Sequence, residues 1–252
     1  MKKIFVCIAL ASAAAGVCAK DWTTIRFGVD ATYAPFESKA ANGDVVGLDI
    51  DLGNEICHRL NAKCVWVESD FDGLIPALNA RKFDAVLSSM TITPQRAEQI
   101  AFSDMIYKTP TRLVTRQGAN LQPSPESLKG KAVGVEQGTI QETYAKKNWA
   151  PKGVQVVAYQ NQDQAYADLI AGRLDATLQD EVQADVGFLK TSRGTGFQFS
   201  GQEIPTGEAA IGLRKDDADL KGKIDGAIAA MVRDGTFLKI EKKYISVDLR
   251  TN

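Results

Sequence analysis

The sequence predicts an α/β fold with mainly parallel sheets, and three observations support that prediction. Strand and helix patterns alternate along nearly the whole chain, as in folds whose parallel strands are joined by helices. Hydrophobic residues make up 44% of the 252 residues and charged residues 24%, which is typical of a packed globular protein and excludes wholesale disorder. The alternating pattern also restarts near residue 131, which indicates two lobes of similar construction.

The first half alternates between strands and helices up to a candidate linker. Short apolar runs predict strands at residues 25–30, 64–68, 84–87 and 112–116. Helices are predicted at residues 49–61, 73–81 and 94–100. Leu52, Ile56 and Leu60 share one face of the first helix, and Pro94 suits the first turn of the third. Residues 118–129, which contain two prolines, are the best candidate for a linker.

The second half repeats this order and contains two internal similarities. Strands are predicted at residues 131–136, 154–159, 175–179 and 209–213. Helices are predicted at residues 139–147, 164–171, 181–190, 217–233 and 236–243. Residues 78–87 align with 169–178, with five of ten positions identical, and residues 27–30 resemble 133–136. Because each match falls at the same stage of its half, the two halves are predicted to share an architecture.

The first 19 residues have the features of a secretory signal peptide. A basic start is followed by an apolar run at 4–17, which is shorter than the roughly 20 residues that a membrane-spanning helix needs. Val17 and Ala19 are the small residues that a signal peptidase recognises, so we expect cleavage after Ala19 and export from the cytoplasm. The alternative is a lipid anchor on Cys18, which usually requires Gly or Ala where this chain has Val17.

Composition excludes several classes of function. The chain has 30 basic and 31 acidic residues, a balance that argues against a nucleic-acid partner. Its one histidine, His58, makes a histidine-based metal site or catalytic triad a poor fit. Phosphate-binding, dinucleotide-binding and metalloprotease motifs are absent from the sequence. No catalytic residue, metal or cofactor is therefore predicted.

Two cysteines remain after the leader is removed. Cys57 lies on a predicted helix and Cys64 at the start of a predicted strand. In an oxidising compartment this pair is expected to form a disulfide that pins one helix–strand junction. The alternative is two buried thiols.

Polar residues cluster where the predicted strands end, which is where open α/β sheets bind ligands. These residues are Asp30, Asp70, Phe71, Ser88, Ser89 and Thr91 in the first half, and Glu136, Thr139, Gln179 and Asp180 in the second. Arg96 adds a planar fork of donors that suits a carboxylate. Together they predict a cleft for a small zwitterion that carries an extra positive charge. The alternatives are that Arg96 pairs with Glu98, that the acids cap helices, and that Tyr33 and Phe71 belong to the core.

Five stretches give the chain a resemblance to a known family: 28–37 (GVDATYAPFE), 47–51 (GLDID), 88–96 (SSMTITPQR), 137–139 (QGT) and 179–181 (QDE). The chain resembles the periplasmic amino-acid-binding proteins of ABC importers, most closely the lysine/arginine/ornithine- and histidine-binding branch. The resemblance implies two Rossmann-like lobes joined by two crossing strands, the type II periplasmic binding fold, with the ligand cleft between them. Lobe 1 would comprise residues 20–110 and 205–252, and lobe 2 residues 111–204. The Cys57–Cys64 pair also matches the disulfide of that branch.

The resemblance assigns the α-groups of a bound amino acid to five residues. Arg96, with backbone N–H groups of Thr91 and Thr139, would bind the α-carboxylate. Asp180, helped by Ser89 and Thr91, would hold the α-ammonium.

The ligand side chain would lie between two aromatic rings. Tyr33 and Phe71 would sandwich it, a favourable setting for a cation. Asp30 and Ser88 would meet its distal charged group, with Gln141 nearby. Closure of the lobes around the ligand would follow a hinge motion.

Two departures from the family pattern bear on the ligand. Glu136 stands where close relatives carry an apolar residue, and Ile140 replaces a second hydroxyl residue. A carboxylate added beside Asp30 favours a full, delocalised cation and penalises a neutral ligand. We therefore expect arginine to bind best, then lysine or ornithine, then histidine.

The expected partners are a basic amino acid and an ABC permease in the inner membrane, with the protein itself a monomer. One rival is a periplasmic enzyme similar to the cyclohexadienyl dehydratases, which share this fold. Its anionic substrates would be repelled by Asp30, Glu136 and Asp180. A sensory ligand-binding module is a second rival, but such modules usually carry a membrane tether or a signalling domain.

Overall fold

A computed structural model describes residues 21–250 of the chain. Its strands are β1 (Thr24–Val29), β2 (Thr32–Tyr33), β3 (Glu37–Lys39), β4 (Val45–Val46), β5 (Lys63–Glu68), β6 (Ala85–Val86), β7 (Ala101–Lys108), β8 (Thr111–Arg116), β9 (Ala132–Glu136), β10 (Gln155–Tyr159), β11 (Ala176–Asp180), β12 (Phe197–Ile204) and β13 (Glu208–Leu213). Its α-helices are α1 (Leu48–Arg59), α2 (Leu74–Asn79), α3 (Pro94–Ala97), α4 (Pro125–Leu128), α5 (Ile140–Asn148), α6 (Gln162–Ile170), α7 (Glu181–Ala184), α8 (Ala218–Arg233) and α9 (Thr236–Glu241). The signal peptide predicted at residues 1–19, with the alternative anchor Cys18, lies outside the described residues. None of the helices described is long and apolar enough to cross a membrane.

Two five-stranded sheets share one arrangement of parallel and antiparallel strands. The first sheet runs β5-β1-β6-β13-β7 and the second β10-β9-β11-β8-β12. In each sheet the first three strands are parallel, and the fourth is antiparallel to the strands on both sides. The predicted α/β class is thus confirmed, and the sheets match strand for strand.

The internal sequence similarity marks an equivalent joint in the two sheets. The backbone N–H of Asp84 donates to the carbonyl of Arg26 at 2.8 Å, and the Asp84 carboxylate accepts from the N–H of Arg26 at 3.1 Å. Asp175 does the same with Ala132, at 2.9 Å and 2.8 Å. Counted along the chain, each aspartate therefore fastens the third parallel strand of its sheet to the first, β6 to β1 and β11 to β9, which explains why the same residue recurs at this point.

The candidate linker at residues 118–129 does not connect the two sheets. It joins β8 to β9, which both belong to the second sheet, and it contains α4, whose first turn is capped by Ser124. The chain crosses between the sheets where β7 passes into β8 and where β12 passes into β13. The crossing segments, 109–110 and 205–207, are short and join extended strands, and they contain Pro110, Pro205 and Gly207. The lobe boundaries at 110/111 and 204/205 stay a prediction.

The remaining differences from the predicted elements are local. The predicted helix at 181–190 is the short α7 followed by a π-helical turn at Asp185–Leu189. Strands β7 and β12, absent from the predicted set, form the outer edge of each sheet, and β2, β3 and β4 form a small third sheet.

Hydrophobic side chains fill the layers between sheets and helices. In the first sheet Ile25, Phe27 and Ile211 are fully buried in one cluster with Leu52 and Ile56 of α1, which confirms the predicted apolar face of that helix. A disulfide joins Cys57 to Cys64 with an Sγ–Sγ distance of 2.10 Å, and it fastens α1 to β5 as expected.

Candidate ligand-binding site

A cavity lies between the two sheets, at the ends of their parallel strands. All eleven residues predicted for the ligand line it: Asp30, Tyr33, Phe71, Ser88, Ser89, Thr91, Arg96, Glu136, Thr139, Gln141 and Asp180. Glu37 and Ile140 line it as well. Within residues 21–250, no cluster of His, Cys, Asp or Glu could hold a metal ion.

Arg96 is a buried cation that has no acidic partner in the described structure. It lies in α3, where the Thr93 hydroxyl caps the helix by accepting from the N–H of Arg96 at 3.2 Å. The guanidinium donates from Nη1 to the carbonyl of Thr91 at 2.6 Å and from Nη2 to the carbonyl of Gly138 at 3.0 Å. Burial lowers the pKa of Arg96 to about 10, so the group is still charged at neutral pH. Because its acceptors are backbone carbonyls rather than Glu98, this charge is available to an anion.

Asp180 ends β11 and begins α7, so it serves both the helix and the cavity. Its Oδ1 accepts from the N–H groups of Val182 at 2.9 Å and Gln183 at 3.1 Å, and its Oδ2 accepts from the hydroxyl of Thr109. The helix-capping alternative is therefore correct for this residue, but it does not remove the carboxyl from the cavity. Burial raises the pKa of Asp180 to about 7, since no basic side chain compensates the charge.

Asp30 follows β1 and is held by three hydrogen bonds. Its Oδ1 accepts from the N–H of Thr32 at 3.1 Å and from the Thr32 hydroxyl at 2.6 Å, and its Oδ2 accepts from the N–H of Phe71 at 3.1 Å. Burial raises the pKa of Asp30, while these donors act in the opposite direction. The result is a carboxyl with a fixed position at the end of the first sheet.

Two carboxyl groups behind the cavity position the serines that follow β6. The Ser88 hydroxyl donates to Glu37 Oε1 at 2.9 Å and accepts from the N–H of Asp30 at 3.0 Å. Ser89 adopts a left-handed backbone with φ of 49°, and its N–H donates to Asp49 at 2.8 Å. Burial, followed by the charge of Asp49, raises the pKa of Glu37 well above its usual range, and burial raises the pKa of Asp49 to about 6.

Glu37 has no role in the sequence-based prediction. It lies on the short strand β3, which was not predicted, and the family stretch 28–37 that it ends is the one signal that could have identified it. Only the fold places it beneath Ser88.

The second sheet contributes Glu136, Thr139 and Gln141. Glu136 ends β9 with only 2% of its surface exposed, and burial followed by the charge of Asp30 raises its pKa well above the usual range. The Thr139 hydroxyl caps α5 by accepting from the N–H of Glu142 at 3.1 Å. Gln141 donates to the hydroxyl of Thr111 at 2.9 Å, which ties α5 to the crossing strand β8.

Two aromatic rings complete the lining. The Tyr33 hydroxyl donates to Gln179 of the second sheet at 2.7 Å, and the Arg96 guanidinium lies 5.3 Å from the ring centre of Phe71. Both rings also pack against core clusters of the first sheet. The alternative that Tyr33 and Phe71 belong to the core is therefore correct in part, because each ring contacts both the core and the cavity. The contacts of Tyr33 with Gln179 and of Arg96 with Gly138 join the two sides of the cavity, so this is a closed arrangement.

The comparisons with known proteins agree on one class. Residues 25–247 match the family described as bacterial extracellular solute-binding proteins, family 3. The chain is 50% identical to the lysine/arginine/ornithine-binding periplasmic protein of Escherichia coli K12 and 46% identical to the histidine-binding periplasmic protein of the same strain, each over 99% of both chains. Among solved structures it is similar to an ancestral arginine-binding protein bound to arginine, with a TM-score of 0.84, 38% identity, and coverage of 88% of this chain and 98% of the other.

Proposed function

The chain belongs to family 3 of the bacterial extracellular solute-binding proteins, and we propose that it captures a basic L-amino acid in the periplasm and delivers it to an ABC permease of the inner membrane. Arginine is the favoured ligand, followed by lysine or ornithine and then histidine. The lysine/arginine/ornithine-binding relative supports the basic class.

The distribution of charge in the cavity is the observation that carries this proposal. One buried guanidinium faces four buried carboxyl groups, those of Asp30, Glu37, Glu136 and Asp180. None of the four forms an ion pair with a basic side chain of the described structure. A ligand that supplies one carboxylate and two cations would compensate both sets of charges, and a basic amino acid does so.

Each part of the ligand has a proposed partner. Arg96, with backbone N–H groups of Thr91 and Thr139, binds the α-carboxylate, and Asp180 with Ser89 and Thr91 holds the α-ammonium. The side chain then extends between the rings of Tyr33 and Phe71.

At the far end of the cavity, Asp30 and Ser88 meet the distal cation, with Gln141 nearby. The proposed lobes, 20–110 with 205–252 and 111–204, close around the ligand by bending at the two crossings. We propose that the protein acts as a monomer.

Binding without chemistry is part of the proposal. A dehydratase acting on prephenate would place a second carboxylate of its substrate among carboxyl groups that have no basic partner in residues 21–250, and repulsion disfavours that arrangement. Formation of phenylpyruvate from prephenate by the purified protein would overturn this part.

Calorimetric titration of the ligand-free protein with arginine, lysine, ornithine, histidine and glutamine tests the function. We expect arginine to bind best, and Arg96→Met to weaken its binding by at least about 100-fold, because a buried charge-assisted contact is lost. Tighter binding of glutamine than of arginine would contradict the basic class.

The matched control is Arg233→Met, because Arg233 is an exposed arginine in the last turn of α8, away from the cavity. This variant should bind arginine as the unmodified protein does. Undiminished binding by Arg96→Met would refute the proposed carboxylate site.

A further inference from the structure

Glu136 is a buried acid that the described protein leaves without a hydrogen-bond donor for one of its oxygens. Its Oε2 is buried and unpartnered, although the residue is only 2% exposed and lines the cavity. Leaving a buried polar group unsatisfied is costly, and such groups are few in folded proteins. Because Glu136 lines the cavity, its unpartnered oxygen can accept a hydrogen bond from a ligand.

The nearby titratable groups are acids and phenols. Asp30 and Asp72 approach Glu136 from the first sheet's side and Asp163 from α6, while Tyr33 and Tyr166 interact with its charge. Arg96 is the basic side chain of the cavity, and its donors are directed to backbone carbonyls. In the ligand-free protein, therefore, little opposes the cost of charging Glu136.

Glu136 and Asp30 come from equivalent places in the two sheets. Glu136 ends β9 and Asp30 directly follows β1, and each of these strands is second in its sheet. Both carboxyl groups line the cavity, and, after burial, the charge of Asp30 contributes to the raised pKa of Glu136. A hydrogen bond between two carboxyl groups requires that one of them carry a proton.

We propose that Glu136 is a specificity-determining residue: with Asp30 it forms a carboxyl pair that spans both sheets and shares a proton, and the ligand's distal cation displaces that proton. The proposal rests on the proposed function and narrows its ligand class to side chains that carry a permanent charge and several donors. A guanidinium has five N–H donors in a planar fork and can serve two carboxylates at once. An imidazole or an amide offers fewer donors and little or no charge at neutral pH. Such a side chain would not compensate two carboxylates, so Asp30 and Glu136 would either keep their proton or repel each other.

The raised pKa of Glu136 agrees with this arrangement, and the shared proton of the proposal predicts that binding releases a proton to the buffer. Titration calorimetry at pH 7 in two buffers of different ionisation enthalpy counts that proton. It should be run with arginine, lysine, histidine and glutamine on the unmodified protein, Glu136→Gln and Glu136→Leu.

For both variants we expect arginine affinity to fall by about tenfold or more, with a similar fall in the preference for arginine over glutamine. Fewer protons should be released than in the unmodified protein. Glu136→Gln keeps the shape of the side chain, so it gives a decisive result even if Glu136→Leu fails to fold. Glu126→Gln, which neutralises an exposed acid of α4, is the matched control and should change neither quantity.

The outcomes separate the two proposals. If Glu136→Gln retains arginine affinity, the preference over glutamine and the released proton, the role of Glu136 is refuted while the proposed function stands. If the unmodified protein binds none of the basic amino acids, the proposed function fails and this proposal fails with it.

Discussion

The ends of the first strands, at Asp30 in one sheet and Glu136 in the other, occupy equivalent positions but differ in how the protein satisfies them. Asp30 accepts three hydrogen bonds from Thr32 and Phe71. Glu136 keeps an oxygen for which residues 21–250 supply no donor. Equivalent strands therefore place two carboxyl groups at one cavity. The residues around each strand end determine whether the protein itself supplies hydrogen-bond donors to that carboxyl group.

Asp84 and Asp175 are a second pair of equivalent residues, and they differ in burial. Asp84 and Asp175 both fasten the third strand to the first. The Asp84 side chain is 7% exposed and also pairs with the buried Arg214, whereas the Asp175 side chain is 36% exposed and pairs with Lys131 near the surface. The two sheets thus repeat a backbone joint while burying its charge to different depths.

We expect the largest difference between the two sheets when these aspartates are replaced and the free energy of unfolding is measured. Asp84→Ala leaves Arg214 with less compensation in a buried site, and we expect a loss of about 3 kcal/mol in the free energy of unfolding. Asp175→Ala, the matched variant of the second sheet, should lose about 1 kcal/mol, because its ion pair is exposed and one backbone hydrogen bond remains. Urea denaturation of both ligand-free variants gives the comparison, and equal losses would show that burial does not distinguish the joints.

The next effect concerns the junction between the first helix of each sheet and the strand after it, which is α1–β5 in the first sheet and α5–β10 in the second. In the first sheet the Cys57–Cys64 disulfide fastens α1 to β5, while the corresponding junction of the second sheet is filled by the buried Trp149, packed edge-on against Tyr144 at 5.4 Å. Replacing both cysteines by serine should cost about 2 kcal/mol in the free energy of unfolding, because a short loop is released in the unfolded chain.

Arginine affinity should change by less than about twofold in this double variant, since Cys57 and Cys64 lie outside the cavity lining. A large loss of affinity in calorimetry would instead connect this junction to the cavity.

The last effect concerns binding rather than unfolding, and it is the pH dependence of arginine affinity. Burial raises the pKa of Asp180 to about 7, so the ligand-free cavity holds a proton that an α-ammonium would displace. The complex then binds fewer protons, and affinity should rise from pH 5 to 7, by up to about tenfold per pH unit for each proton released.

Calorimetry from pH 5 to 8 measures this slope, and an affinity that is flat or falls with pH would contradict it. In the ligand-free protein the sign is opposite: a raised carboxyl pKa contributes stability at low pH that is lost as the pH rises through 7. Asp180→Asn should remove the contribution of Asp180 to the pH dependence of arginine affinity and of stability. The contribution of Glu136 should remain.

Periodicity and composition predicted most of the elements, because apolar spacing reports which face of a segment is buried. Helix α1 and the parallel strands were predicted in that way. The similarity of residues 78–87 to 169–178 indicated two lobes of similar construction, and the joints that Asp84 and Asp175 form there are seen only in the structure. The linker at residues 118–129 was wrong because Pro and Gly occur in turns within one sheet as well as at the crossings, which contain Pro110, Pro205 and Gly207. Glu37 was missed because its position beneath Ser88 depends on a short strand that the sequence pattern did not predict.

The sequence by itself determined the α/β class, the equivalence of the two halves and the residue types at the strand ends, since these depend on local spacing and on the order of elements. The resemblance to a family added the roles of those residues. Only the tertiary structure decided that Arg96 donates to carbonyl groups, that Asp30 accepts three hydrogen bonds from the protein and that one buried oxygen of Glu136 accepts none from the residues described. Those properties depend on which atoms from distant segments meet in a dry space, and burial there sets the cost of every charge.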